Sequence, residues 1–209
     1  MIIQEGFDLK KIFVLGDSIS IHYGPYLKQY TEGVFMYDRK RGDEALEDLD
    51  KPVGGNGGDS RRIVEYLSQY IHMVDADVLL LNCGLHDLRR DRETQKQHIN
   101  IPEYEENLYK SIELINKTKN KPVWVSTTPV DGKLHTEKKP FDRFNDDVIM
   151  FNKSAEKIMK ENNIDIIDLY TFTSKINIGE PLSKDGVHFI EQVRALQGAF
   201  IAGWLYRYL

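Results

Sequence analysis

Short, almost wholly apolar runs recur along the chain and alternate with longer stretches in which apolar residues return every three or four positions. The apolar runs lie at 11–15, 33–37, 78–82, 123–127 and 164–168. Continuous runs of this kind are typical of parallel strands that are covered on both faces. Their alternation with helical patterns predicts an α/β fold, with an open parallel sheet of about five strands and helices on both sides.

The helical patterns lie at 60–73, 102–117, 146–162 and 191–208. Three long polar connections, 39–58, 86–101 and 129–143, separate these elements, and loops of such length in a compact domain are usually functional or mobile. Ligands of open parallel sheets bind beyond the carboxyl ends of the strands. The residues that follow each strand are therefore the first candidates for a functional site.

Length and charge narrow the class of protein. The 209 residues predict one domain over 1–209, and 28 basic against 33 acidic residues give a net charge of −5. This acidic balance does not indicate a protein that binds nucleic acid or an anionic membrane. Residues 1–8 show no signal-peptide pattern and no apolar stretch approaches the ~20 residues of a membrane span, so a cytoplasmic protein is expected unless a leader was removed. The single cysteine, Cys83, lies in an apolar run and is expected to be a buried hydrophobe.

The first predicted strand ends in Gly16-Asp17-Ser18-Ile19-Ser20. A serine between a buried strand and a helix places its hydroxyl at the carboxyl edge of the sheet, where the helix N-terminus favours developing negative charge. Ser18 is therefore a candidate nucleophile. The alternative is that Ser18 or Ser20 only caps the next helix.

A second signal, Asp185-Gly186-Val187-His188, precedes the last predicted helix. An acid and a histidine three residues apart can share one side of a turn. The carboxylate then holds one ring nitrogen while the other faces a nucleophile. A loop aspartate beside an unrelated surface histidine is the alternative.

Two further strand-end segments lie between these signals. The glycine-rich segment 54–60 directly precedes a helix, so its N–H groups can approach an anion closely, although a loop that only needs positive φ angles would look the same. The third strand runs into Asn82-Cys83-Gly84-Leu85-His86-Asp87, which places His86 beside the same edge.

Taken together, these motifs resemble the SGNH, or GDSL-type, hydrolase family. The family carries Gly-Asp-Ser near its N-terminus, a glycine after the second strand, Gly-x-Asn-Asp after the third and Asp-x-x-His near its C-terminus. Matching segments here are 16–18, Gly58, 84–87 and 185–188, in the same order and across nearly the whole chain. Gly57 is the second choice for the glycine.

The resemblance implies a three-layer α/β/α, flavodoxin-like fold and an ester hydrolase. It also implies Ser18 as nucleophile, His188 as base and Asp185 as the residue that orients it. The N–H groups of Ser18 and Gly58 and the side chain of His86 would form the oxyanion hole, with Asp17 and Asp87 as structural residues near the site.

Position 86 departs from the family, which has asparagine there. A neutral histidine donates from a given ring nitrogen only in the correct tautomer. We expect His86 to donate to the oxyanion with its tautomer fixed by a neighbour such as Asp87; the alternative is that it only packs or holds the loop. The other histidines, at 22, 72, 98 and 135, are expected to be surface or packing residues.

The sequence indicates the substrate class only through residues of the long connections. Basic residues of the two later connections, Arg89, Arg90, Arg92, Lys133, Lys138, Lys139 and Arg143, are either a solvated face or the lining of a crevice for a polar, even anionic, substrate. We expect a small-molecule substrate with a short acyl group, such as an acetylated sugar. The alternatives are a lysophospholipase or thioesterase for longer chains, and a non-catalytic binding module.

No cofactor is expected. A nucleotide or phosphate binder built on 54–60 would need a Gly-x-x-x-x-Gly-Lys-Ser/Thr loop or a Gly-x-Gly-x-x-Gly opening, and the chain has neither. Convergence of His86, Asp87, Asp17 and His188 could hold zinc, but no His-Glu-x-x-His or paired-cysteine motif supports a metal.

Overall fold

The computed structural model describes residues 9–42 and 49–209. The N-terminal segment 1–8, considered above for a signal peptide, and part of the predicted connection 39–58 lie outside the described residues.

A parallel sheet of five strands forms the centre of the described structure, in the order β2-β1-β3-β5-β7. Counting its strands along the chain, this is the 2-1-3-4-5 order of flavodoxin-like folds. The predicted fold class is thereby confirmed. The strands are β1 Lys10–Leu15, β2 Phe35–Arg39, β3 Val78–Leu81, β4 Arg90–Asp91, β5 Lys121–Val125, β6 Phe141–Asp142 and β7 Asp165–Ile167, of which β4 and β6 form a separate antiparallel pair.

Helices cover both faces of the sheet. The helices are α1 Ser18–Tyr30, α2 Ser60–Tyr70, α3 Ile101–Asn116, α4 Gly132–Lys138, α5 Asn145–Glu161, α6 Leu169–Ser174 and α7 Glu191–Leu205, with 3₁₀ turns at Ile71–Met73 and Tyr206–Tyr208. The helix α7 packs against α1 and α6, whereas α3 packs against α2 and α5. All four side chains of β3 are buried, as expected for a central parallel strand.

Two strands, β2 and β5, lie two residues away from their predicted positions. The strand β2 begins two residues late because Gly33, at φ +76°, lies in the turn that ends α1. The strand β5 ends at Val125, since the N–H of Thr127 donates to Oδ1 of Asn152 at 2.8 Å rather than to a neighbouring strand. Helical patterns at 60–73 and 191–208 end as 3₁₀ turns.

The two later connections contain more structure than predicted. They join through β4 and β6, and α4 lies between β5 and β6. An ion pair of two 2.6 Å hydrogen bonds links Arg90 of β4 to Asp147 of α5. The connections after β3 and β5 therefore form one braced unit at the carboxyl edge of the sheet.

We predict that Gly198→Ala destabilises the protein while Gly203→Ala does not. A Cβ at Gly198 would lie 2.7 Å from Cβ of Tyr26 and 2.9 Å from the amide nitrogen of Leu27, so α1 and α7 must separate. Overpacking of this kind costs about 1–3 kcal/mol. Gly203 is on the same helix, where such a Cβ would meet no atom of another described element within 4 Å, and alanine there gains about 0.5–1 kcal/mol. Urea unfolding of both variants measures the difference, and equal stabilities would contradict this account of the interface.

Candidate active site

Ser18 occupies the first position of α1, directly beyond β1. The preceding Asp17 caps the helix, with its Oδ1 accepting from the N–H of Ile19 at 2.9 Å. The hydroxyl of Ser20 donates instead to the carbonyl of Asp17 at 2.6 Å. Neither serine is the cap, because Asp17 fills that role. The hydroxyl of Ser18 therefore remains available for another partner.

That partner is His188. The hydroxyl of Ser18 lies 2.8 Å from Nε2 of His188, and Nδ1 of the same ring lies 2.6 Å from Oδ2 of Asp185. The structure thus brings Ser18, His188 and Asp185 into one line of hydrogen bonds across 170 residues of sequence. All three lie beyond the carboxyl edge of the sheet, where the sequence predicts a site.

A tight turn holds the acid of this line. Oδ1 of Asp185 accepts from the N–H groups of Val187 at 3.1 Å and His188 at 3.0 Å, and from the hydroxyl of Ser183 at 2.7 Å. Gly186 makes the turn possible with φ +70°, a backbone conformation that side chains disfavour.

Hydrogen bonding keeps Asp185 ionised. Partial burial alone would raise its pKa, but the hydrogen bonds from His188 and Ser183 and the proximity of the imidazole hold the pKa of this carboxyl well below its ordinary value. An ionised Asp185 accepts a hydrogen bond from the N–H at Nδ1 of His188, which leaves Nε2 as the acceptor for the hydroxyl of Ser18. The ring is therefore in the tautomer that a general base requires.

The helix α4 braces the turn from outside. The N–H of Asp131 donates to the carbonyl of Gly186 at 2.7 Å, and Nδ1 of the buried His135 donates to the carbonyl of Asp185 at 3.0 Å. His135 is more than the packing residue that the sequence suggests, since it fixes the backbone of the acid. No local pattern could have shown this, because the contact spans 50 residues.

His22 lies one turn after Ser18 on α1 and packs edge-on against His188, with ring centroids 5.0 Å apart. Burial, helped by the nearby His188 and Arg194, lowers the pKa of His22 to about 3. The ring is therefore neutral near pH 7 and adds no positive charge beside His188.

The glycine-rich segment approaches Ser18 from β2. The N–H of Gly57 donates to the carbonyl of Gly16 at 2.8 Å, whereas the N–H of Gly58 donates to the side-chain oxygen of Asn56 at 2.9 Å. Arg39 holds this segment to α1 by donating to the carbonyls of Ser20 at 2.7 Å and Gly55 at 3.0 Å. Of the two candidate glycines, only Gly58 donates its N–H to a side chain, which can rotate away and release that N–H for another acceptor.

His86 follows β3 and is almost fully buried at 2% exposed. Burial, followed by the charge of Arg143, lowers the pKa of His86 to about 3, so the ring is neutral near pH 7. Within residues 9–42 and 49–209 no group hydrogen-bonds to this ring.

The expectation that Asp87 orients His86 is wrong. Oδ1 of Asp87 accepts from the N–H of Ser60 at 2.9 Å, because the carboxylate turns toward the N-terminus of α2. Burial raises the pKa of Asp87 to about 7. Asp17 thus caps α1 and Asp87 accepts at the N-terminus of α2, and their structural role near the site stays a prediction.

The structure also bears on the cysteine, on metal binding and on membrane spans. Cys83 is buried, as expected, and burial raises the pKa of its thiol well above the ordinary value. In the described part of the chain, no three His, Cys, Asp or Glu side chains converge closely enough to hold a metal ion. Among the same residues, no helix is both long and apolar enough to cross a membrane.

A family model described as GDSL-like lipase/acylhydrolase matches residues 12–199. The match covers most of the chain, and the chain belongs to this family. It is accordingly an ester hydrolase.

Solved structures agree with the fold. The lipase/acylhydrolase from Enterococcus faecalis has a TM-score of 0.74 and 19% identity, over 96% of this chain and 97% of that one. Est24, a carbohydrate acetylesterase from Sinorhizobium meliloti, has a TM-score of 0.63 and 12% identity, over 96% and 100%. The acetyl xylan esterase AlAXEase has a TM-score of 0.65 and 16% identity, over 95% and 99%. No curated protein shows significant similarity to the chain.

Proposed function

We propose that the chain hydrolyses short-acyl esters of small molecules through a triad of Ser18, His188 and Asp185. The observation that carries the proposal is the line of hydrogen bonds at 2.8 and 2.6 Å that joins these three side chains. Distances in this range are those that an activated serine requires. The family match over residues 12–199 supports the further proposal that the 209 residues form one catalytic domain.

The proposed reaction begins when the hydroxyl of Ser18 attacks the ester carbonyl. Nε2 of His188 takes the hydroxyl proton and gives it to the departing alcohol, which leaves the acyl group bound to Oγ of Ser18 as an ester. Water then attacks the acyl carbon and gives a proton to Nε2 of His188, and His188 passes that proton to Oγ of Ser18 as the carboxylic acid departs. Asp185, held ionised by its hydrogen bonds, stabilises the imidazolium that forms in both halves.

Three donors are proposed for the oxyanion. The N–H of Ser18 belongs to the first turn of α1, where backbone N–H groups have no partner within the helix. The N–H of Gly58 would exchange the side-chain oxygen of Asn56 for the oxyanion. His86 would supply the third N–H from a neutral ring whose two nitrogens are unused by the described structure.

A short acyl group fits the site best. Ser18 is only 3% exposed, and both His188, which hydrogen-bonds to it, and His86 are also buried. Little space is therefore available around the nucleophile for a long acyl chain. An acetylated sugar is the proposed substrate class, since two of the structurally similar proteins act on acetylated carbohydrates by their names.

Ser18→Ala is expected to lower kcat for 4-nitrophenyl acetate by at least ~10³-fold, because the nucleophile is removed. Ser20→Ala is the matched control, since Ser20 lies on the same turn and its hydroxyl donates to the carbonyl of Asp17; its kcat should stay within about threefold. For the wild type, kcat/KM should fall from the acetate to the octanoate ester. Equal rates for wild type and Ser18→Ala would refute the proposed nucleophile, and a rise with chain length would favour the longer-chain alternative.

Substitutions at His86 separate a donor from a packing residue. His86→Ala and His86→Phe should both lower kcat by ~10²–10³-fold with KM little changed, because both remove the N–H. His86→Asn keeps a donor and should stay within ~10-fold of wild type. If Phe preserves kcat while Asn does not, His86 only fills space.

A further inference from the structure

Arg143 is a buried cation between the two braced connections. It is only 2% exposed, so of the two alternatives that the sequence leaves open for this charge, the solvated face is wrong. Its Nε donates to the carbonyl of Leu85 at 2.7 Å and its Nη1 to Oδ1 of Asp50 at 3.1 Å. The guanidinium also lies 4.9 Å from the ring centre of Phe141. Burying a charge is costly, so such a residue normally has full compensation.

The compensation of Arg143 is incomplete in the described part of the chain. Asp50 is the carboxylate that pairs with it there, and Asp50 also pairs with Lys139. Nη2 of Arg143 makes no hydrogen bond to any residue in 9–42 or 49–209. The described part of the fold therefore holds a cation in place without using all of its donors.

The position of this charge is set by its neighbours. Leu85, which accepts from Nε, directly precedes His86 at the end of β3. The charge also acts on Asp17, which directly precedes Ser18 at the end of β1: burial raises the pKa of Asp17, and Arg143 opposes the rise. Arg143 thus lies near the ends of β1 and β3, which carry two of the three proposed oxyanion donors, Ser18 and His86.

We propose that Arg143 is a positioning residue for the proposed ester hydrolysis, which holds the His86 loop and sets a fixed positive charge beside the oxyanion site. The inference rests on the proposed function. His86 is a neutral donor, so it supplies no net charge to the tetrahedral intermediate. A fixed cation in a buried site stabilises the developing negative charge without reorganisation during the reaction.

The alternative to the oxyanion as the anion that Arg143 stabilises is an acidic substituent on the substrate. The burial of Arg143 and His86 leaves little room for a substituent there. The oxyanion needs no extra room, because it forms from the carbonyl oxygen of the ester itself. The observations therefore favour the oxyanion.

The test compares Arg143→Gln, which removes the charge, with Arg143→Lys, which keeps it. Lys138→Gln is the matched control, because it removes one positive charge from an exposed position of the same connection. Two quantities are measured: kcat and KM for 4-nitrophenyl acetate, and the inhibition constant of methylboronic acid. The boron adduct with a serine is a tetrahedral anion, so its affinity reports stabilisation of negative charge at the site.

Arg143→Gln should lower kcat by roughly 10- to 100-fold and weaken boronate inhibition by a similar factor, with KM changed by less than about threefold. Arg143→Lys should lie between Gln and wild type, and Lys138→Gln should match wild type. Equal losses for Lys and Gln would indicate a purely structural role and overturn the proposal. The proposal would also be overturned if Arg143→Gln lowered the hydrolysis rate only for 4-nitrophenyl hemisuccinate, because that result would mark a subsite for an acidic substrate.

The failure of this inference is distinguishable from that of the proposed function. If Ser18→Ala is inactive while Arg143→Gln matches wild type in both measurements, the role of Arg143 is refuted and the triad stands. If Ser18→Ala is as active as wild type, the proposed function itself fails. Should Arg143→Gln not fold, Arg143→Lys decides: boronate inhibition within ~10-fold of wild type supports the charge, and its complete loss contradicts it.

Discussion

Parallel pairing of β1 with β2 and β3 is the constraint on which the site depends. In a parallel sheet the carboxyl ends of all strands share one edge, and here β1 lies between β2 and β3. Ser18, the glycine-rich segment and His86 each follow one of these three strands. His188 comes from the far end of the chain, and the packing of α7 on α1 brings it within 2.8 Å of Ser18.

Charge is distributed unevenly among the buried groups at this edge. Asp185 is held ionised by its hydrogen bonds, while burial keeps His22 and His86 neutral near pH 7. Arg143 remains a cation, and the carboxylate that pairs with it, Asp50, also pairs with Lys139. An anion that forms near Ser18 would therefore meet neutral donors and the positive charge of Arg143. The carboxylate of Asp185, which hydrogen-bonds to His188, lies on the opposite side of that ring from Ser18.

The fold and the three residues of the proposed triad could be predicted because their signals are local. Ser18 is positioned by the turn that directly follows β1. Asp185 and His188 are positioned relative to each other by the short turn that they share. Contacts that depend on tertiary packing could not be predicted. His135 reaches Asp185 across 50 residues, Arg143 reaches Leu85 across 58, and Asp87 turns to α2 rather than to the adjacent His86. The strands β4 and β6 are too short for any periodicity to reveal them.

The central claim is that His188 activates Ser18, and covalent labelling tests it without assuming a substrate. Wild type, Ser18→Ala and His188→Gln are treated with a fluorophosphonate, and the site of modification is mapped by mass spectrometry of the peptides. The account predicts one label per chain on Ser18 in the wild type, none in Ser18→Ala and a labelling rate at least ~10³-fold lower in His188→Gln. Labelling at another residue, or an equal rate in wild type and His188→Gln, would contradict it.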